Sequence, residues 1–452
     1  MSDIRLSKLQ MFGFAQPALG LNMLLTAVFV FLPALYAEHR GLGAATVGAV
    51  FFAAKFIDMI AAPMWGLFMD SYETRWGRRR PWLALSAPIL VIAMYLAFNP
   101  PESVSKTYLF LTLGLMYIGW DAFTISHTSW ALELSRDYDR RSRITGVLQI
   151  LGIAGGLLVG LVPTILEYFG SPDYEAKVSG LGWFMMIVLP LTVIICLFSA
   201  PERKTANRPH LGFKKGVALL LGNPALARLL CANALLGFST FIVQGLFFFF
   251  VAYTLNLEDK AGFILLFLVI GGAVGLPAWV KASEKWSKHG ALQIAMVTGA
   301  ITPLLLIILP PNQVALTAGM FVLVGLNSSA NEFLPRAMMA DVCDKDNVES
   351  GSERTGLYYS LLQLSSKFAS GFAIFIGFSF LTVFGFDPEM GADNPIEALQ
   401  RLRYFIVGVP ILAYAIVFAL LLRYPISRES QREMRTVIDE RESKALASAD
   451  VK

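Results

Sequence analysis

Apolar positions along this chain neither alternate nor form a narrow stripe. They come in runs of about 20 residues, the length an α-helix needs to cross a hydrocarbon core, broken by short charged or Pro/Gly-rich segments. The pattern predicts twelve spans, near residues 12–36, 44–69, 80–98, 107–132, 145–169, 181–199, 226–254, 261–283, 290–309, 315–340, 356–384 and 403–424. The first run, Phe12 to Tyr36, is too long for the apolar region of a secretory signal and lacks a small-residue cleavage site, so it is expected to remain as a span.

Charge between the runs sets the expected orientation. One set of loops carries Arg75, Arg78, Arg79 and Arg80, then Arg136, Arg140, Arg141 and Arg143, then Arg203, Lys204, Arg208, Lys214 and Lys215, then Lys281, Lys285 and Lys288. The alternate set holds little more than Arg40, Lys106, Lys177, Lys260, Arg401 and Arg403. Lys and Arg accumulate on the cytoplasmic side of membranes, so both termini are expected there. The longest break, after the sixth span, divides the chain into an N-terminal six-helix bundle (1–200), a cytoplasmic connection (201–224), a C-terminal six-helix bundle (225–424) and a charged cytoplasmic tail (425–452). The halves echo one another: ALELSRDYDRRSRITG (131–146) follows the fourth span and MADVCDKDNVESGSERTG (339–356) the tenth. Such repeats are common in transporters.

Composition narrows the class. With 56% hydrophobic and 15% charged residues and a mean hydropathy of +0.59, the chain has too much apolar surface for a water-soluble fold. Its net charge of +4 sits in loop clusters, which excludes a nucleic-acid surface. Cys196, Cys231 and Cys343 are isolated, so neither disulfides nor a zinc site is indicated. No P-loop and no Ser/His/Asp or Cys/His set is seen, which argues against an enzyme and against direct ATP drive.

Charges inside the runs carry the functional signal. A charge at the bilayer centre costs at least about 2.5–3.5 kcal/mol, so such groups pair, face a cavity, or mark an ion or solute path. Lys55 and Asp58 fall in the second span, Asp121 and His127 in the fourth, Glu332 and Arg336 in the tenth and Lys367 in the eleventh. Asp58, shielded from water, is expected to bind and release a coupling proton, with Lys55, Asp121 and Lys367 as partners. Glu332 and Arg336, four apart, are expected to form a structural ion pair. Asn22, His127, Trp130, Gln149, Gln244, Asn331 and Gln363 are candidates to contact a solute, with Trp65, Trp120 and the run Phe247 to Phe250 as stacking faces. Asp70 with the basic turn Arg78, Arg79 and Arg80, together with Glu133, Arg143, Asp341 and Arg354, is expected to gate the bundle ends.

The stretches AAKFIDMIAAPMWG (53–66), WGRRRPW (76–82), PRAMMADVCDKD (335–346) and SERTGLYYSLLQLSSKF (352–368) resemble the glycoside, pentoside and hexuronide cation symporters of the major facilitator superfamily, the melibiose permease type. The similarity runs over nearly the whole chain. It implies an all-α membrane protein with twelve transmembrane helices in two pseudo-symmetric six-helix bundles, carrying a solute by alternating access. In that family a second acid and a polar neighbour after Asp58 help hold the coupling cation, but here those places are Ala62 and Ala61. Proton coupling is therefore favoured over sodium. The sugar-binding acids of the family's first and fourth spans correspond to Asn22 and Ser126, while Trp130 and Lys367 are retained.

The reading is a secondary transporter for a glycoside or related small polar solute. Two alternatives stand beside it: carriage of an amphiphile such as a lysolipid, and a non-transporting membrane assembly factor or receptor. No cofactor beyond the coupling ion, H+ or Na+, is expected. The partners expected are a small-molecule solute and membrane lipid, for a monomer in a bacterial inner membrane.

Overall fold

The computed structural model describes residues 7–71, 74–134, 138–170, 173–202, 223–350 and 355–422, and in the tail residues 424–426, 429–431, 433–434, 436–438 and 440. Among the described residues, twelve helices are long and apolar enough to span a bilayer. They are α1 (Lys8–His39), α2 (Ala44–Ser71), α3 (Arg80–Phe98), α4 (Lys106–Leu134), α5 (Tyr138–Tyr168), α6 (Tyr174–Ser199), α7 (Pro224–Thr254), α8 (Ala261–Trp286), α9 (Lys288–Ile307), α10 (Val314–Ser350), α11 (Thr355–Val383) and α12 (Ile396–Leu421). Each expected span is present. The helices overrun the apolar runs where the backbone can keep hydrogen-bonding in the interface: α10 continues to Ser350, α5 begins at Tyr138, and α6 begins at Tyr174, where Asp173 accepts a capping bond from the Ala176 amide.

Since the spans alternate in direction, both termini emerge at one end of the bundle, here the terminal end, and the loops after α1, α3, α5, α7, α9 and α11 form the far end. Large apolar side chains such as Ile60, Met64, Leu111, Ile187, Val274, Ile301 and Leu412 remain exposed around the outside, a belt suited to lipid. Pro63, Pro88, Pro163, Pro190, Pro277, Pro303, Pro335 and Pro410 all lie inside helices. Neighbouring membrane helices let freed carbonyls find other partners, so these positions are tolerated.

Within the first half α4 packs on both α2 and α3, and α1 lies against α5 and α6; within the second, α8 packs on α10, α7 on α11 and α9 on α12. The halves meet along two seams, α2 with α11 and α5 with α8. Glycines make the close approaches. A Cβ at Gly271 of α8 would lie 2.1 Å from the Val322 carbonyl of α10, and one at Gly325 of α10 would lie 1.9 Å from the Leu268 carbonyl of α8. Helices in lipid gain stability from such contact rather than from a hydrophobic effect between them.

Replacing Gly271 or Gly325 by Val is expected to cost about 1–3 kcal/mol by overpacking, seen as a lower thermal midpoint in detergent by tryptophan fluorescence. Gly319→Ala, where a Cβ meets nothing within 4 Å, is expected to leave the midpoint unchanged.

Candidate functional site

Four charged side chains meet in the membrane interior. The helical register of α2 puts Lys55 and Asp58 on one face, Asp121 comes from the middle of α4, and Lys367 reaches across from α11 in the other half. Lys367 Nζ donates to Asp58 Oδ1 at 2.5 Å, to Asp121 Oδ1 at 2.7 Å and to the Asp58 backbone carbonyl at 3.3 Å. Lys55 Nζ lies 2.9 Å from Asp58 Oδ2. Asp58 and Asp121 are 1% and 2% exposed. Two ammoniums and two carboxylates sum to zero, which is how a low-dielectric interior tolerates them. The balance is uneven, however. Asp58 is held by both lysines and Asp121 by Lys367 alone; neither Oδ2 makes a hydrogen bond, but that of Asp58 has the Lys55 ammonium beside it and that of Asp121 has no cation.

Small and aromatic neighbours fix this geometry. The Lys55 ammonium lies 4.4 Å from the centre of the Tyr117 ring and 5.5 Å from that of Phe29, an arrangement that partly replaces lost hydration. Its stem passes Gly371 of α11, where a Cβ would sit 2.9 Å from Lys55 Cγ. Nearer the far end of the same seam, Gly48 faces Ile374 and Phe378. The second seam also closes there, with Gly160 against Gly262 and Gly156 against Val269.

Between the halves lies a cavity of about 460 Å³, within the range of about 300–1,000 Å³ usual for small-molecule sites. Asn22, Gln149, Asn233, Gln244, Asn331, Glu332 and Arg336 place polar groups on walls otherwise built from residues such as Leu25, Ile153, Leu268 and Phe321. Asn331 donates to Thr240 and to the Tyr414 hydroxyl, and Asn233 to Ser365 and Ser366, so both amides are held in place. Asn233, Thr240, Tyr414 and Tyr117 were not among the sequence candidates. Asn233 was visible as a lone amide in an apolar run, like Asn22, but the other three look like ordinary helix residues until their neighbours are known.

Several expectations require correction. Ser126 is fully buried and returns its hydroxyl to the Ala122 and Phe123 carbonyls of its own helix. The His127 ring sits 2.9 Å from the Phe14 carbonyl, inside α1–α4 packing. Trp130 is likewise buried, edge-on to Phe14 and under the Arg80 guanidinium. These three build the first half and do not line the cavity. Phe247 to Phe250 are core residues of the far end, packed against Phe321, Phe378, Phe386 and Tyr174. Gln363 is exposed on α11 and is not part of the cavity wall. Glu332 and Arg336 do pair, at 3.0 Å, but they are 67% and 56% exposed in the cavity and are no buried strut.

The basic turn before α3 is fastened within its own half. Glu202 accepts from the backbone amides of Arg78, Arg79 and Arg80, a carboxylate at a helix N-terminus. Gly77, with φ +116°, makes room for it, because a Cβ would collide with that carboxylate. Arg80 also donates to the Ala200 carbonyl. Asp341 pairs with Lys288 at 2.6 Å, and Arg143 is exposed. Arg354 and the side chains of Asp70 and Glu133 lie outside the described residues.

Twelve membrane-length helices, a polar cavity between two halves and a buried ion network across their seam define a multi-pass membrane transporter. The sequence profile of a family described as MFS/sugar transport protein matches residues 13–428, and the chain belongs to that family of major facilitator transporters. Similar proteins include the putative glycoside/cation symporter YagG of Escherichia coli, 24% identical over 89% of this chain and 88% of that one. The isoprimeverose transporter of Lactiplantibacillus pentosus is 25% identical over 97% and 93%. Human sodium-dependent lysophosphatidylcholine symporter 1 is 21% identical over 90% and 81%. Among solved structures, the nucleoside transporter NupG aligns with a TM-score of 0.66 at 14% identity, covering 92% of this chain and 100% of that one. A bacterial homologue of the human lysosomal transporter Spinster, inward-facing and unoccupied, aligns at 0.65 with 16% identity, covering 93% and 98%. These structural likenesses establish the major facilitator fold.

Removing Lys367 leaves two buried carboxylates with one ammonium. Lys367→Gln is expected to destabilise the protein by about 3–5 kcal/mol, read as a lower thermal midpoint in detergent, and Asp121→Asn added to it is expected to recover part of that loss.

Proposed function

We propose that this chain is a proton-coupled symporter of a glycoside or related small polar solute, working as a monomer in a bacterial inner membrane with its termini in the cytoplasm. The observation that carries the reading is the single ammonium of Lys367 shared by Asp58 and Asp121 across the α2–α11 seam. A proton and that ammonium compete for the same carboxylates. Asp58, gripped by two lysines, stays ionised; Asp121, with one partner and one bare oxygen, is the group that takes the proton. This shifts the coupling role from Asp58, the first choice from sequence, to its neighbour.

Proton and solute enter from the far end when the α2–α11 seam is apart. Protonated Asp121 no longer needs Lys367. After the halves rock, the proton leaves, Lys367 returns to both carboxylates, and the solute departs through the terminal end. An ion binds more tightly to one state than the other, and that difference is the only means by which it drives the change. Sodium fits less well, because a hard cation asks for several oxygens and here the two ammoniums hold both oxygens of Asp58 and one of Asp121, leaving Asp121 Oδ2 alone. The amides of Asn22, Gln149, Asn233, Gln244 and Asn331 around the cavity favour a solute rich in hydroxyls over a lysolipid. The names of YagG and the isoprimeverose transporter point the same way; the name of the lysophosphatidylcholine symporter points to the amphiphile.

In proteoliposomes without sodium, adding glycosides, uronides and lysolipids in turn is expected to alkalinise the outside with a glycoside-class solute and with no lysolipid. Asp121→Asn is expected to abolish uphill accumulation while leaving solute exchange. Sodium-dependent uptake without proton movement contradicts the coupling, and a response to lysolipid alone contradicts the cargo.

A further inference from the structure

A further carboxyl, half-buried, lies at the far end, away from the central network. α1 and α7, the first helices of the two halves, both finish in a single π-helical turn, Leu35–His39 and Phe250–Thr254. Such turns interrupt the regular hydrogen-bond ladder and recur at functional sites. Here they bring Glu38 of the first half against Tyr253 of the second, whose hydroxyl donates a short hydrogen bond to Glu38 Oε1. The Glu38 side chain is 12% exposed, and its other oxygen, Oε2, is buried with no hydrogen-bond partner.

Among the described residues no Lys or Arg pairs with Glu38, and Arg403 of α12, beside the second π turn, donates to the Ile307 and Thr254 carbonyls. Arg40 is committed to Glu175 at 2.5 Å. His39 Nε2 is 3.7 Å from Glu38 Oε1, beyond a hydrogen bond, and its ring is stacked on Tyr174 of α6. Lys260 and Lys177 converge on Glu167. Glu258, just past the second π turn, adds a further negative charge, and the 3-10 turn Pro388–Asp393 packs against both π turns. An ionised carboxylate with one bare, buried oxygen is costly, whereas a proton on Oε2 removes the charge and leaves Oε1 free to accept from Tyr253.

We infer that Glu38 is a second proton site, separate from the Lys55–Asp58–Asp121–Lys367 network, and that its protonation fastens the far end shut through Tyr253. With the halves apart, water reaches Glu38 and it ionises; closing the far end buries it and takes up one proton. Through Glu38, acid therefore favours closure of this end and alkali favours opening. The shared π turns make the device reciprocal between the halves, since neither Glu38 nor Tyr253 reaches the other from a regular helix end in the same way.

The test is the distance across the far end as a function of pH. Spin labels at Glu102→Cys and Gln313→Cys, both exposed loop positions in opposite halves, are measured by double electron–electron resonance in nanodiscs, with Cys196, Cys231 and Cys343 replaced. The longer-distance population is expected to grow with pH, by up to about tenfold per unit, the limit for one linked proton. Glu38→Gln, neutral at every pH, is expected to lose this opening at high pH. Tyr253→Phe is expected to open more readily yet keep the response, and Asp121→Asn to keep it as well. The inference is overturned if the longer-distance population of Asp121→Asn does not grow with pH, or if Glu38→Gln titrates as the parent does.

Discussion

Burying charge in hydrocarbon is the constraint on which this molecule turns. Lys55, Asp58, Asp121 and Lys367 are tolerable in the membrane only together, because each carboxylate or ammonium left alone would cost several kcal/mol in desolvation. One of the four belongs to the opposite half. The seam between α2 and α11 is thus held by electrostatic necessity as well as by packing, and whatever neutralises a carboxylate there changes how firmly the halves are joined.

The rest of the architecture serves that contact. Glycines such as Gly371 and Gly48 let α2 and α11 approach closely enough for Lys367 to reach Asp58 and Asp121. Aromatic packing from Phe247 to Phe250 makes the far end a solid plug, while polar residues on α1, α5, α7 and α10 leave a wet cavity on the terminal side of it. The molecule is rigid where it seals and open where a solute would bind. Alternating access asks for the reverse arrangement in the other state.

Much of this was legible in the sequence because hydrocarbon imposes simple rules. Span number and placement follow from run length alone, and the four network residues stood out as charges where none belongs. What stayed hidden was direction. Ser126, His127 and Trp130 occupy the helix where a solute site was expected, yet a linear sequence does not say that their faces turn into α1 and away from the cavity. Glu332 and Arg336 have the spacing of a strut, and only the fold reveals them on the cavity wall. Glu38 and Tyr253 lie at helix ends, 215 residues apart, and no local pattern joins them.

The most direct measurement of the central claim is infrared difference spectroscopy of the carboxyl groups as pH is varied, in the parent and in Asp58→Asn and Asp121→Asn. The account predicts a protonated-carboxyl band that is lost in Asp121→Asn and kept in Asp58→Asn. A band that survives Asp121→Asn and vanishes in Asp58→Asn would contradict it, and would return the coupling proton to Asp58.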